Sequence, residues 1–267
     1  MPDPTVEQIR SFRLRAHHLD AEYDAVQAEE LVGACGMQNS PPGAWEAALF
    51  NRAPACHLSD ATRMLSQDKT LVQAWSLRGA PYVFPADESA TFLSPLVPSD
   101  DEPWAYTNGI GLALGALHLE FDELLTALEQ IMARLDDQTI VSKATLDQTL
   151  ASWMEPLLPT ASREAWRAPS MYGSPDVQTI GGAAVSFLLR PCSFRGLVVF
   201  GERDGVSPTF TSYRNWTGRT LKSDADAAKK LVRKFAHCYS PTTANALAGW
   251  MGCSGKQARR LWHEVVC

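Results

Sequence analysis

Thr242-Thr-Ala-Asn-Ala-Leu-Ala-Gly-Trp-Met-Gly-Cys-Ser-Gly-Lys-Gln-Ala-Arg-Arg-Leu-Trp262 is the stretch whose reading decides the fold. It follows the breaker Ser240-Pro241, so Thr242 or Thr243 can cap a helix from Ala244 to Trp250 or Met251. Gly252 then ends that helix, and Ser254 starts another that runs through Val265. Ala248, Gly252 and Ser254 follow the logic of a helix-turn-helix: a small residue for a close crossing, a Gly for the sharp turn, a Ser to cap the second helix. Leu247, Met251, Ala258, Leu261 and Trp262 supply an apolar packing face. Lys256, Gln257, Arg259 and Arg260 are expected to face outward, with the length and charge to reach phosphates and base edges. A helical hairpin with a merely solvated basic exterior is the competing reading.

Working outward, residues 224–237 begin acidic and end basic, as the helix dipole favours, and predict the helix that precedes this pair. Residues 213–267 hold ten Lys/Arg against three Asp/Glu, a local charge of +7 in a chain whose net charge is −6. Such asymmetry points to an anionic partner for the C-terminal part.

Two earlier stretches repeat a plan of helices followed by a β-hairpin. In the first, helices are predicted near 24–35, 42–52 and 59–67, then a hairpin over Leu71 to Tyr82 turning at Arg78-Gly79. In the second, helices near 120–135, 143–153 and 176–190 precede strands at 196–201 and 208–213, turning at Asp204-Gly205. Each hairpin would be a wing. Residues 95–109 form an acidic, proline-bearing connection, and 156–176 another. The fold class expected is mainly α with small β-hairpins (α+β), built as tandem winged-helix modules at 1–115, 116–218 and 219–267. The last module has its helices but reaches Cys267 before any wing, so the natural protein is expected to continue.

Several classes are set aside. No segment approaches the ~18 uninterrupted apolar residues of a membrane span. The N-terminus lacks the basic start and apolar run of a signal peptide, so a cytoplasmic location is expected. Six scattered cysteines without a CxxC pair fit free thiols. His237, Cys238, Cys253 and His263 lack the compact spacing of a zinc site, so neither metal nor cofactor is expected. There is no GxSxG, P-loop, HExxH or dinucleotide fingerprint.

Three stretches carry a resemblance. The first is Gly33-Ala-Cys-Gly-Met-Gln-Asn-Ser-Pro-Pro-Gly-Ala-Trp45, between two predicted helices. The second is Leu71-Val-Gln-Ala-Trp-Ser-Leu-Arg-Gly79, the expected first wing. The third joins Arg195-Gly-Leu-Val-Val-Phe-Gly201 to Trp216, Leu231-Val-Arg-Lys-Phe235, Tyr239-Ser-Pro-Thr-Thr243 and Trp250-Met-Gly252. Together, and in this order, the chain resembles the winged-helix DNA glycosylases that include AlkZ and YcaQ.

That resemblance implies metal-free hydrolysis of a C1′–N glycosidic bond in double-stranded DNA carrying N-alkylated purines, by a protein that can act as a monomer. An alkylated purine is already cationic and leaves readily, so the enzyme chiefly positions a water and stabilises charge on the sugar. The family's motif is a Gln, an intervening residue, then Gln or Asp. Gln38 matches its first position, Asn39 fills the middle, and Ser40 stands in the last. Ser40 can orient a water but is no base at neutral pH; it also reads as the cap of the helix that follows. After Arg78-Gly79 relatives often carry Thr and His, where this chain has Ala80-Pro81-Tyr82. Arg78 at the hairpin tip reads as a phosphate contact or a solvated turn residue. Tyr82 reads as an aromatic platform. Around the second wing, Tyr213, Arg214, Trp216 and Arg219 mix basic and aromatic residues as nucleic-acid contacts do.

Three functions follow from these readings: a monofunctional glycosylase with Gln38 orienting the water, a non-catalytic DNA-binding regulator or damage sensor, and a protein scaffold that binds no DNA. The first is the favoured reading; Ser40 and the Tyr82 that stands in place of a His lend support to the second. The basic C-terminal end opposes the third.

Overall fold

The computed structural model describes residues 3–173 and 175–266. In chain order the elements are α1 (Val6–Ala16), α2 (Ala28–Gly33), β1 (Met37–Gln38), α3 (Ala44–Phe50), α4 (Leu58–Thr62), β2 (Leu71–Trp75), β3 (Pro81–Pro85) and α5 (Ser89–Leu93). There follow α6 (Gly111–Leu117), α7 (Phe121–Met132), β4 (Ile140–Val141), α8 (Lys143–Met154), α9 (Arg163–Arg167), α10 (Ile180–Phe194), β5 (Val199–Phe200), β6 (Thr209–Thr211) and α11 (Tyr213–Thr217). The chain closes with α12 (Ala227–Tyr239), α13 (Ala244–Met251) and α14 (Gly255–Val266). The protein is mainly helical with two small antiparallel sheets. Among the described residues no helix is long and apolar enough to cross a membrane.

Contacts group the chain into two units, residues 1–103 with 222–267, and residues 104–221. The helices expected to open a third module therefore pack with the N-terminal part.

In the first unit, β1, β3 and β2 form a three-stranded sheet in that order, with Gln38 opposite Tyr82 and Tyr82 opposite Ala74. The hairpin predicted at 71–82 is present and runs on to Pro85. Its five β2 residues are all buried, because the strand is covered on both faces and cannot show the alternation of a half-exposed strand. Val32, Trp45, Leu49, Leu71 and Val83 belong to one buried cluster that joins the sheet to α2 and α3. Helix α12 lays Ala227, Leu231, Val232, Phe235 and Cys238 along one stripe, the three-to-four spacing of a core-facing helix. Against it pack α1, α5 and α14. Thr243 caps α13 by accepting from the Ala246 amide, and α13 ends at Gly252 in the left-handed conformation (φ 74°). Ser254 Oγ then accepts from the Gln257 amide at 3.1 Å and starts α14.

The second unit has the same strand order, β4-β6-β5, with Ile140 opposite Phe210 and Phe200 opposite Phe210. Its centre is α10, buried around nearly its whole circumference. Gly181 lets Trp166 lie flat on that helix, and the Trp166 indole donates to the Ala151 carbonyl at 3.0 Å. Both units thus run helix, strand, helices, strand, strand, with two helices (α3, α4) in the first unit and three (α8, α9, α10) in the second, and with the hairpin's second strand in the middle of the sheet.

Candidate active site and nucleic-acid face

Gln38 sits at the end of the edge strand β1, where a side chain can lie over the neighbouring strand. Its Oε1 accepts from Arg78 Nη2 at 2.8 Å and from the Tyr82 hydroxyl at 3.3 Å. Arg78 Nη2 also donates to the Tyr82 oxygen, and Arg78 Nη1 donates to the Trp250 carbonyl at 3.0 Å. Burial pushes the Tyr82 phenol up to about 12, against the opposing pull of Arg78, so it is a neutral donor at pH 7. Gln38 thus meets two residues 40 and 44 positions later through one sheet register and one turn.

The turn explains Arg78. Residues 76–80 close on themselves, with Gly79 N donating to Ser76 O at 2.8 Å and Ala80 N to Leu77 O at 3.1 Å. Arg78 adopts φ 55° there, a conformation uncommon for a side-chain-bearing residue. Leu77 and Gly79 on either side are buried. The hairpin end is therefore no solvated tip. Sequence reading placed Arg78 there as a phosphate contact or a solvated turn residue, and the structure turns its guanidinium inward onto three protein oxygens.

Asn39 does not share the site. The strand's alternation sends its side chain the other way, where Nδ2 donates to Gln73 Oε1 at 3.1 Å and Oδ1 accepts from Gly43 N at 2.8 Å. Ser40 is exposed. It is not the cap of α3: that position falls to Gly43 (φ 95°), and Asn39 supplies the side-chain acceptor at the turn. The catalytic pair drawn from the motif therefore consists of a held Gln38 and an open Ser40.

Behind Arg78 lies an aromatic cluster that sequence reading did not assemble. The Phe235, Tyr239 and Trp250 rings stand 5.1–6.0 Å apart, and Arg13 ties the end of α12 by donating to the Tyr239 carbonyl at 2.7 Å. Burial raises the Tyr239 phenol above its usual value. A hollow of about 800 Å³ in this unit lies elsewhere. It is lined by acids (Glu29, Glu30, Glu88) and bases (Lys230, Arg233, Lys234), and excludes Gln38.

The helix expected to read DNA is α14, and the structure corrects its outward face. Gln257 is 0% exposed, and its Nε2 donates to the Pro95 carbonyl at 3.0 Å. Lys256 pairs with Asp101. Arg260 forks onto Glu102, Nε to Oε1 at 3.0 Å and Nη2 to Oε2 at 2.7 Å. Those bonds hold the Glu102 carboxyl below the usual carboxylate range. The acidic connection thus lies along the very side of α14 that the sequence suggested was open. Arg259 alone of the four is exposed without such a partner among the contacts described.

In the second unit, Arg214 is exposed and stands 3.5 Å from Asp136. Arg219 is exposed beyond the left-handed Gly218 that ends α11. Trp216 is half-buried between them.

A family model described as DNA glycosylase AlkZ-like matches residues 31–266. Among solved structures, that of Streptomyces sahachiroi DNA glycosylase AlkZ is similar, with a TM-score of 0.72 at 17% sequence identity. The likeness covers 98% of this chain and 66% of that one, so this chain spans just under two thirds of its length. No curated protein matches.

Proposed function

The chain belongs to the AlkZ-like DNA glycosylase family, and from that premise we propose that it binds double-stranded DNA as a monomer and hydrolyses the C1′–N bond of N-alkylated purines. In this reading both units are winged helices, and Gln38 orients the attacking water with Ser40 beside it. The observation that carries the reading is the Gln38 side chain itself. It is held on an edge strand by two donors, half-exposed, two positions before the exposed Ser40. An N-alkylated purine carries its own positive charge, so no acid is needed to protonate it as it leaves. The site needs only to place a water within reach of C1′ and to shield the reaction from competing geometry. Arg78, Tyr82 and Gln38 can fix such a geometry; Arg219 and Arg259, together with Arg214 and Lys256 once they leave their exposed carboxylate partners, are cations that can reach phosphates.

A second reading is a non-catalytic DNA-binding protein of the same family. It is favoured by Ser40 and Tyr82: with the Tyr82 phenol at about 12, the cluster of Gln38, Ser40, Arg78 and Tyr82 holds no base at neutral pH. The test is abasic-site formation on a duplex carrying N7-methylguanine, comparing the protein with Gln38→Ala. Alkali-labile scission that is lost in the variant supports the hydrolase with its water at Gln38. Scission that survives moves the site elsewhere. Duplex binding without scission selects the second reading.

A further inference from the structure

A primary amide offers two opposite functions on one planar group, an acceptor oxygen and a donor nitrogen, and a half-turn exchanges them. Which end of Gln38 faces substrate therefore decides what it can do. We propose that Arg78 is a positioning residue that fixes the rotational sense of the Gln38 amide, so that Gln38 meets substrate only as a hydrogen-bond donor. The proposal rests on the reading of Gln38 as the group that meets the damaged nucleotide.

The argument begins with the guanidinium, which has five donors and no acceptor. The Gln38 atom 2.8 Å from Arg78 Nη2 must then be the carbonyl oxygen. Turning the amide over would set two N–H groups against each other at that distance, one of them on a cation. The second lone pair of Oε1 is taken by the Tyr82 hydroxyl at 3.3 Å. Arg78 cannot readily swing away to release the amide. Its other nitrogen is bonded to the Trp250 carbonyl at 3.0 Å, and its backbone is fixed in a turn between buried Leu77 and Gly79. An amide whose carbonyl accepts from a cation is also polarised, which strengthens its N–H groups as donors.

The chemistry follows from this orientation. One Nε2–H donates to the oxygen of the attacking water and occupies one of its lone pairs, leaving the other for C1′. The new O–C1′ bond forms as the C1′–N bond breaks, and the electron pair of that bond leaves with the purine and neutralises its positive charge. The water's released proton cannot go to the Gln38 carbonyl, which is filled; it passes to solvent, by way of Ser40 or a phosphate oxygen.

The test is a double-mutant cycle over wild type, Gln38→Glu, Arg78→Met and the double variant, with Gln38→Ala alongside. Glu keeps the shape and the acceptor and removes both donors. Folding of each is checked by its melting temperature, and two quantities are measured. One is the single-turnover release of N7-methylguanine from duplex DNA. The other is Kd for a duplex carrying a tetrahydrofuran abasic analogue. Gln38→Glu is expected to lose about tenfold or more in wild type, as a substrate group is left without its donor. In the Arg78→Met background the amide can turn either end outward, so the same change is expected to cost less than about threefold. A merely structural role for Arg78 would lower both backgrounds without that coupling.

Gln38→Glu at or above the wild-type rate while Gln38→Ala is impaired overturns the proposal and leaves Gln38 as the substrate-facing group. An equal Gln38→Glu penalty in both backgrounds also overturns it. If Gln38→Ala changes neither quantity, the reading beneath the proposal falls and the proposal with it. If wild type releases no base, the same cycle read on Kd decides, coupling supporting the proposal and its absence overturning it.

Discussion

Glu102→Gln should destabilise the first unit by about 2 kcal/mol at neutral pH. The Glu102 side chain is 1% exposed and accepts three hydrogen bonds, two from Arg260 and one from the Ser99 amide at 2.9 Å. Gln has the same shape but one oxygen fewer. If its nitrogen takes the Oε1 place, it faces Arg260 Nε; if it takes the Oε2 place, it faces both Arg260 Nη2 and the Ser99 amide. Either way a buried donor meets a donor. A hydrogen bond to a charged group contributes about 1.5–3 kcal/mol. The Arg260 side chain is 37% exposed and can turn to water, which offsets part of the loss of the ion pair. The middle of that range is the expectation, a fall of roughly 4–8 °C in the unit's transition for a domain near 150 residues.

The pH dependence gives the sign. The folded-state pKa of Glu102 is lowered, first by the Arg260 hydrogen bonds. Its stabilisation is therefore complete above the unfolded carboxylate value of about 4.3 and is lost as pH falls through the lower folded value. Calorimetry at pH 7 should show the full gap between wild type and Glu102→Gln, and the gap should close below about pH 4. An unchanged midpoint at pH 7, or a gap that widens on acidification, refutes the reasoning.

Two further expectations concern α14 and the helical glycines. Arg259→Ala should weaken duplex binding and lower the slope of log K against log salt by about one, whereas Gln257→Ala should lower stability and leave the slope alone; a slope change in the second and not the first would reverse the assignment of that helix face. Gly181→Ala would place a Cβ 2.6 Å from the Nε1 of the buried Trp166 indole, an overpacking of about 1–3 kcal/mol that outweighs the helix-propensity gain of about 1 kcal/mol. The matched change Gly249→Ala, at an exposed position of α13, meets nothing within 4 Å and should stabilise by about 0.5–1 kcal/mol; urea unfolding of the two variants should move in opposite directions.

The parts of the fold legible in the sequence were those with local causes. Thr243, Gly252 and Ser254 punctuate α13 and α14 where their caps and left-handed turn fall in the structure. The hairpins at 71–85 and 199–211 announced themselves by β-branched and aromatic residues around turn signals. The strands β1 and β4 did not, because two residues have no period; they are strands only because β3 and β6 offer them an edge. Gln38 was found by likeness, but its partners were not. Arg78 reads as a turn residue until its φ of 55° and the Trp250 carbonyl are seen to aim it inward. The misplacement of Gln257 has a similar origin. A basic helix with one polar uncharged residue reads as a solvated face, and nothing local tells that the Pro95 carbonyl, 162 positions earlier, needs its amide. A signal was available in Asp101 and Glu102, an acidic run of the right sign to meet Lys256 and Arg260.

That match changes what the charge asymmetry means. Of the ten cations in residues 213–267, at least five are held by carboxylates: Arg214, Lys230, Lys234, Lys256 and Arg260. Lys234 and Arg260 face acids that are themselves half-buried or buried, so those charges are spent on holding α12 and α14 in place rather than displayed to a polyanion. Each phosphate neutralised adds about 0.9 to the salt slope, and only cations that can leave their present partners contribute. A local excess of +7 thus overstates the phosphate-binding surface. The consequence bears on selectivity. Under the proposed glycosylase reading, a shallow non-specific term would make discrimination between damaged and intact duplex depend more on Gln38, Arg78 and Tyr82 than on how firmly the chain holds the backbone.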